Sequence, residues 1–315
     1  TYNVDGIYFG STAKAASGGL EGKIYKINTH TVGVTSGDAE FGVPSTTPTA
    51  WTISSMFDSP GPITAPVSLS TDLQDNVWAF FGTGRYQSNA DKADQSQQYF
   101  FGVKDPYFNN GYVTSPNDFY YNTANDLEVD WSTDLFNATD VKVFANRKVT
   151  GVATINSGGV TNWTELVKEA RTYDGWYHTL EAVAGNPSER VISKATALGG
   201  IIFFPGYTPN DDICGFGGDT AFYADYYETG TAYYKHILPG YITTETVDGE
   251  PDIEKVNRKY IVGHGAPPPA AGFHVGRESG ATAFLQMSTG EVVKINVETA
   301  FPIKSGLSSW RDKNK

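Results

Sequence analysis

The sequence predicts an all-β protein, a modified β-propeller or part of one, with long loops between strands and one short helix. Three observations lead there. Aromatic residues make up 14% of the 315 residues and charged residues only 18%, while glycine is abundant at 34. That mix suits many short strands joined by turns and not a helical bundle. Second, four places share one grammar, a buried strand, a turn or loop, and a second strand. They are IYFG then GKIYKI, VWAFFGTG then YFFGV, IIFFPG then TAFYADY, and TAFLQ then GEVVKI. Third, the copies are irregularly spaced because the intervening loops vary. Radial repetition of small antiparallel sheets accounts for this better than a two-layer sandwich or a closed barrel, which stay as alternatives.

Taken in order, Ile7, Phe9 and then Ile24, Ile27 frame two strands around a small-residue loop. Residues 29–49 are rich in Thr, Ser, Gly and Pro and read as a connection. Residues 50–57 form a strand, as do residues 63–69, where the internal Pro66 implies an edge position or a bulge. Asp72–Asn76 is a polar turn, and VWAFF from Val77 is a continuous apolar run, the mark of a strand buried on both faces. Gly82-Thr83-Gly84 ends it; no Gly-Lys-Ser/Thr follows, so this is a bend and not a phosphate loop. A polar loop leads to the strand at Tyr99–Pro106, and residues 107–138 show little periodicity. Val141–Val152 alternates as one strand. Asn162, with Glu165 three residues on, caps a helix of about two turns that ends near Tyr173.

Residues Asp174–Tyr233 carry the densest pattern: a polar turn-rich segment ending in Arg190 and Val191, the run Ile201–Phe204, a loop Pro209–Gly218 with the only cysteine, Cys214, and the aromatic strand Thr220–Tyr227. That loop is long for a connector and is expected to pack on a neighbouring segment, with Pro209, Asp212, Cys214 and Phe216 as its candidate interaction residues. An acidic turn spans Asp248–Asp252, a strand covers Lys259–Val262, and three prolines keep Gly263–Gly272 out of a central strand. Thr282–Gln286 and Glu291–Asn296 flank a clean hairpin turn.

A formal charge of −12 argues against binding a phosphate backbone, and no run of five basic residues occurs. No apolar run approaches the roughly 18 residues of a spanning helix. The chain begins at Thr1, and the expectation is one β-propeller-type domain over residues 1–315, excised from the C-terminal end of a longer secreted precursor. One cysteine permits no internal disulfide, so Cys214 is a buried small side chain or has a partner outside the chain.

Candidate sites are few. Asp72, Asp75 and Asn76, Asp91 and Asp94, and Asp211, Asp212 and Asp219 around the cysteine loop, are clustered oxygens of the kind a hard cation takes, though turn formation explains the same residues. The five histidines, His30, His178, His236, His264 and His274, lack zinc-site spacing and read as surface or turn residues. Phe222, Tyr223, Tyr226, Tyr227, Tyr233 and Tyr234 form a possible binding platform, with alternation turning half of them inward. No G-x-S-x-G elbow is present.

Specific residues then carry a resemblance. NVWAFFGTGRY followed by QQYFFGVKDP, DGWY followed by ERV, GGIIFFPGYTPNDDICGFGG with its aromatic strand and TGTAY, and the tail AFLQMSTGEVVKI with a terminal SSW occur in one order. Together they resemble the C-terminal propeller of the PilY/PilC type IV pilus tip proteins. The resemblance implies a secreted, cell-surface protein at the pilus tip, associated with the outer membrane. It also implies a non-enzymatic role in pilus assembly, in opposing retraction and in adhesion to host or abiotic surfaces, in company with minor pilins and the N-terminal part of its own precursor. Family propellers commonly hold calcium in an Asp-rich loop upstream of a strand resembling DGIYFG; only four residues precede Asp5, so calcium is assigned to no residue and no other cofactor is evident. Four units against about seven expected of the family imply the latter part of a propeller, or a reduced one. Two other functions fit the architecture: a periplasmic quinoprotein-like enzyme and a carbohydrate-binding propeller.

Overall fold

The computed structural model describes residues 6–16, 18–29, 46–74, 76–106, 128–152, 159–210, 217–240, 242–276 and 280–303. Their strands form four principal sheets, antiparallel apart from one short parallel edge strand in each of the first two, one sheet for each repeated unit of the sequence, and two small hairpins. The first sheet orders Gly6–Gly10, Leu20–Asn28, Thr52–Ser59 and Val129–Asp130. The second orders Ser68–Thr71, Val77–Gly82, Tyr99–Lys104, Gly175–Thr179 and Phe136–Asn137. The third contains Thr196–Leu198, Ile201–Pro209, Gly218–Tyr226 and Lys259–His264, and the fourth Gly272–Val275, Ala281–Gln286 and Val292–Val297. The architecture is all-β and propeller-like with a single helix among the described residues. The strand Gly6–Gly10 pairs with Leu20–Asn28 of its own sheet and not with the fourth sheet, so no ring closes through it.

Alternation along each strand explains how the sheets stack. In the second sheet Ala79, Phe81, Phe101 and Val103 join Ile24, Met56 and Phe57 of the first sheet in one core. Their neighbours Trp78, Phe80 and Phe100 point the other way, into a larger core with the third and fourth sheets. Phe100 stacks on Phe204 (ring centroids 3.6 Å apart), and Phe204 on Tyr223 at 4.8 Å. On the opposite face of the third sheet Phe203 meets Phe273 of the fourth at 5.1 Å. A middle strand therefore buries both faces, and continuous apolar runs such as VWAFF and IIFF follow from that.

The helix Trp163–Ala170 starts where its cap predicts: Asn162 Oδ1 accepts the Glu165 N–H at 3.1 Å. The Glu165 carboxylate turns back one residue further than a capping box, to Thr161 N at 2.9 Å. Trp163, Leu166 and Ala170 lie on one buried face. The Trp163 ring meets Tyr226, Tyr233 and Tyr234 edge-on at 5.2, 5.3 and 5.5 Å.

Several expectations change. The strand expected over 63–69 begins only at Ser68, beyond Pro66, and Ile63 makes a lone parallel bridge to Gly84. Residues 141–152 are not one strand but a hairpin, Lys142–Val143 against Val149–Thr150; Arg147 takes φ +68 and Asn146 Oδ1 accepts Lys148 N at 3.0 Å. The acidic turn narrows to Asp248 and Gly249, with φ +52 and +81, the two-residue turn whose twist suits a hairpin. Pro209 belongs to a strand, paired with Gly218, so the connecting loop is shorter than expected. Two-residue strands at Val129 and Phe136 add to sheets in parallel, which the aperiodic stretch 107–138 did not reveal.

Candidate functional site

Of the motifs that carry the resemblance, GTG, DGWY, ERV and TGTAY meet at the junction of the second and third sheets as packing, AFLQMSTGEVVKI builds the fourth sheet, and SSW lies outside the described residues. Trp176 of DGWY is fully buried and lies opposite Gly102 in register. A Cβ on Gly102 would sit 2.5 Å from Trp176 Cε2, and one on Gly230 of TGTAY would strike the same indole. The indole Nε1 donates to Tyr227 O at 2.8 Å. Gly82 leaves room for Val191 of ERV, whose N–H donates to Thr83 O at 2.9 Å. These glycines are needed because large side chains cross directly over the backbone.

The same junction holds ionisable groups. His178 and Asp225 are both 0% exposed, and His178 Nε2 lies 2.9 Å from Asp225 Oδ2. The reading of His178 as a surface or turn residue is thus corrected: it sits on the strand Gly175–Thr179 of the second sheet, its ring buried against Phe204 and Tyr223 of the third. Burial, and then the Arg258 charge, push its pKa down against the pull of Asp225. Arg258 Nε stands 3.7 Å from Asp225 Oδ1, which has no hydrogen bond of its own. Tyr223 donates to Glu189 Oε2 at 2.7 Å, and Lys259 reaches the same oxygen at 3.0 Å. The aromatic platform also resolves into core: Phe222, Tyr223 and Tyr226 of the strand Gly218–Tyr226 are buried, and so are Tyr227 and Tyr233 in the segment after it, with Trp163 of the helix packed on Tyr226 and Tyr233.

Next to this junction one edge presents exposed polar side chains on an ordered base. Gln87, Ser88, Asn89 and Ala90 are exposed at the tip of the loop 85–94. Below them Asp91 is buried, and its carboxylate accepts from Arg85 Nε and Nη2 (2.9 and 2.8 Å), Gln87 N (2.8 Å), Ser88 N (2.7 Å) and Ser88 Oγ (3.0 Å). Burial pushes the Asp91 carboxyl up, but those donors together outweigh it and hold the group below the usual carboxylate range. Arg190, 0% exposed, donates from Nη1 to Arg85 O (3.0 Å) and Asp91 O (2.6 Å), from Nη2 to Asp94 O (2.8 Å) and Ser188 O (3.1 Å), and from Nε to Ser188 O (3.2 Å). Tyr86 packs edge-on against Tyr207 at 5.1 Å, and Tyr207 donates to Gly217 O, which ties this loop to the base of the cysteine loop. Of the candidate interaction residues Pro209 lies at that base; Asp212, Cys214 and Phe216 are outside the described residues. Sequence reasoning offered Asp91 and Asp94 as cation ligands, whereas the Asp91 carboxylate is taken up by Arg85, Gln87 and Ser88, and it missed the role of Arg190. The available signal was an arginine followed directly by the apolar pair Val191-Ile192, where a buried charge needs partners.

The cation candidates divide likewise. The Asp72 carboxylate accepts from Gln74 N (2.9 Å), Asn76 N (2.8 Å), Asn76 Nδ2 (2.8 Å) and Trp78 Nε1 (2.8 Å), so its oxygens build the turn. Asp219 pairs with His264 Nδ1 at 2.6 Å on the surface. Asp75, Asp211 and Asp212 are outside the described residues. Among the described residues no three His, Cys, Asp or Glu side chains gather as a metal site. A concavity of about 750 Å³ lies against the first sheet beside Asp58, Glu128, Asp130 and Trp131. Lys23 bridges two of those carboxylates, Glu128 at 2.8 Å and Asp58 at 3.5 Å.

No family model matches the sequence, and no curated protein matches it. Among solved structures the fold is similar to the crystal structure of the Pseudomonas aeruginosa PilY1 C-terminal domain, with a TM-score of 0.53 and 16% identity. The similarity takes in 89% of this chain and 57% of that one, so the chain spans somewhat more than half the length of the C-terminal domain it matches.

Proposed function

We propose that this chain is a non-enzymatic module of a type IV pilus tip that supports pilus assembly, opposes retraction and attaches to surfaces. The observation that carries the reading is a propeller-like fold similar to the PilY1 C-terminal domain over 89% of the chain, in a sequence that places the GTG, DGWY, ERV and TGTAY motifs in the family's order. The motif residues maintain the sheet junction. Contact falls to the adjoining edge, where the buried Asp91 and Arg190 hold exposed polar side chains in a fixed arrangement. Partners in this reading are minor pilins, the remainder of a longer precursor, and host or abiotic surfaces, all outside the cell.

The test is a deletion of this segment in its native host. Surface pili should decrease, and removing the retraction motor as well should restore them. Unchanged piliation on deletion would overturn the proposal.

A further inference from the structure

Arg190 is placed as a cation and not as a chain-end donor. A guanidinium carries five N–H bonds, and all five are used here on four backbone carbonyls: Arg85 O, Asp91 O, Asp94 O and Ser188 O. The Asp94 carboxylate stands 3.9 Å from Nη1, and the Arg190 side chain is 0% exposed. Converging carbonyl oxygens with a nearby carboxylate are the surroundings that hard cations take in loops. Here the centre is filled by a side chain supplied from Arg190, whose backbone is bridged to Tyr207 of the third sheet. Asp91 couples this cradle to the exposed tip: its carbonyl accepts from Arg190 at 2.6 Å, while its carboxylate holds the N–H groups of Gln87 and Ser88.

We propose that Arg190 is the resident cation of this carbonyl cradle, ordering the loop 85–94 in the way a bound metal ion orders other loops, and that a small planar cation of the guanidinium type enters the cradle when the side chain is removed. Two consequences follow. The arrangement of the tip is independent of divalent cations, so the contact edge keeps its shape when calcium is withdrawn. The order of the tip also depends on the forked geometry of the group and not on its charge alone.

The experiment is amide hydrogen exchange at Gln87 and Ser88 in the 315-residue chain, and it reads the loop whether or not the pilus role holds. In the unsubstituted protein, exchange at these amides should be the same with calcium and with a chelator. In Arg190→Ala it should quicken by about tenfold or more, while Phe100 and Phe101 amides in the second sheet stay protected. Millimolar guanidinium should restore most of the protection, and sodium chloride of equal ionic strength should not. Arg190→Lys, which keeps the charge with three donors, should be intermediate and decides the matter if the alanine variant does not fold. The proposal is overturned if a chelator loosens the unsubstituted loop, if Arg190→Ala or Arg190→Lys exchanges like the original, or if guanidinium does no better than sodium or calcium.

Discussion

Replacing Gly102 by alanine tests the packing of the sheet junction with one methyl group. Gly102 lies in the strand Tyr99–Lys104 with an ordinary extended backbone, flanked in register by Trp176 on one side and Phe80 on the other. In an open strand the change would stabilise by about 0.4–1 kcal/mol, because alanine has fewer unfolded conformations to lose. Here the new methyl would stand 2.5, 2.7 and 2.8 Å from three atoms of the Trp176 indole. That ring is fully buried, stacks beside His178 and is anchored by Nε1 to Tyr227 O, so it has no space to retreat. Overpacking of this kind costs about 1–3 kcal/mol, and displacing the ring also endangers a buried hydrogen bond worth about 1–3 kcal/mol if left unmade. The expected net effect is a loss of about 1–3 kcal/mol, read as a lower midpoint in urea at unchanged slope. Trp176→Phe removes the three clashing atoms, so Gly102→Ala should cost at least about 1 kcal/mol less in that background. A raised midpoint in the original protein, or an equal cost in both backgrounds, would refute the reasoning.

Other expectations are as direct. His178 has a folded pKa held below the unfolded value of about 6.5, chiefly by burial, so its unfolded form binds the proton more readily. Its contribution is complete above that pH and is lost as the pH falls; melting temperature should drop on acidification from pH 8 to 5, and His178→Gln should flatten that part of the profile. Asp72→Ala should cost about 1–3 kcal/mol by leaving Trp78 Nε1 without an acceptor. The loss should be equal with and without calcium; a calcium-dependent difference would show that the carboxylate binds the ion. Asn162→Ala should cost about 1 kcal/mol by uncapping the helix, measured by thermal unfolding.

The architecture was legible because burial writes itself along a strand. VWAFF and IIFF announce strands covered on both faces, and they are: alternate residues of Val77–Gly82 enter different cores. Asn162 and Glu165 mark the start of the helix, since a cap is a local arrangement of neighbouring residues. The four strand–loop–strand units become four sheets for the same reason, hairpin pairing being local in the chain. What depends on distant residues was not legible. Val129–Asp130 and Phe136–Asn137 are strands only because finished sheets offer an edge. A histidine in HTL gives no sign that a carboxylate 47 residues away will meet it in the core.

The motifs at the sheet junction show the division most clearly. Sequence alone offered GTG, DGWY, ERV and TGTAY as motifs that follow one another in one order. Only the tertiary structure decided why: Gly82 makes room for Val191, Gly102 and Gly230 for Trp176, and Arg190 satisfies three carbonyls of a loop about a hundred residues earlier. A glycine's meaning lies in the atom that comes close to it, and a buried guanidinium's in the oxygens that surround it. Neither neighbour is adjacent in the chain, so neither can be read until the sheets are stacked.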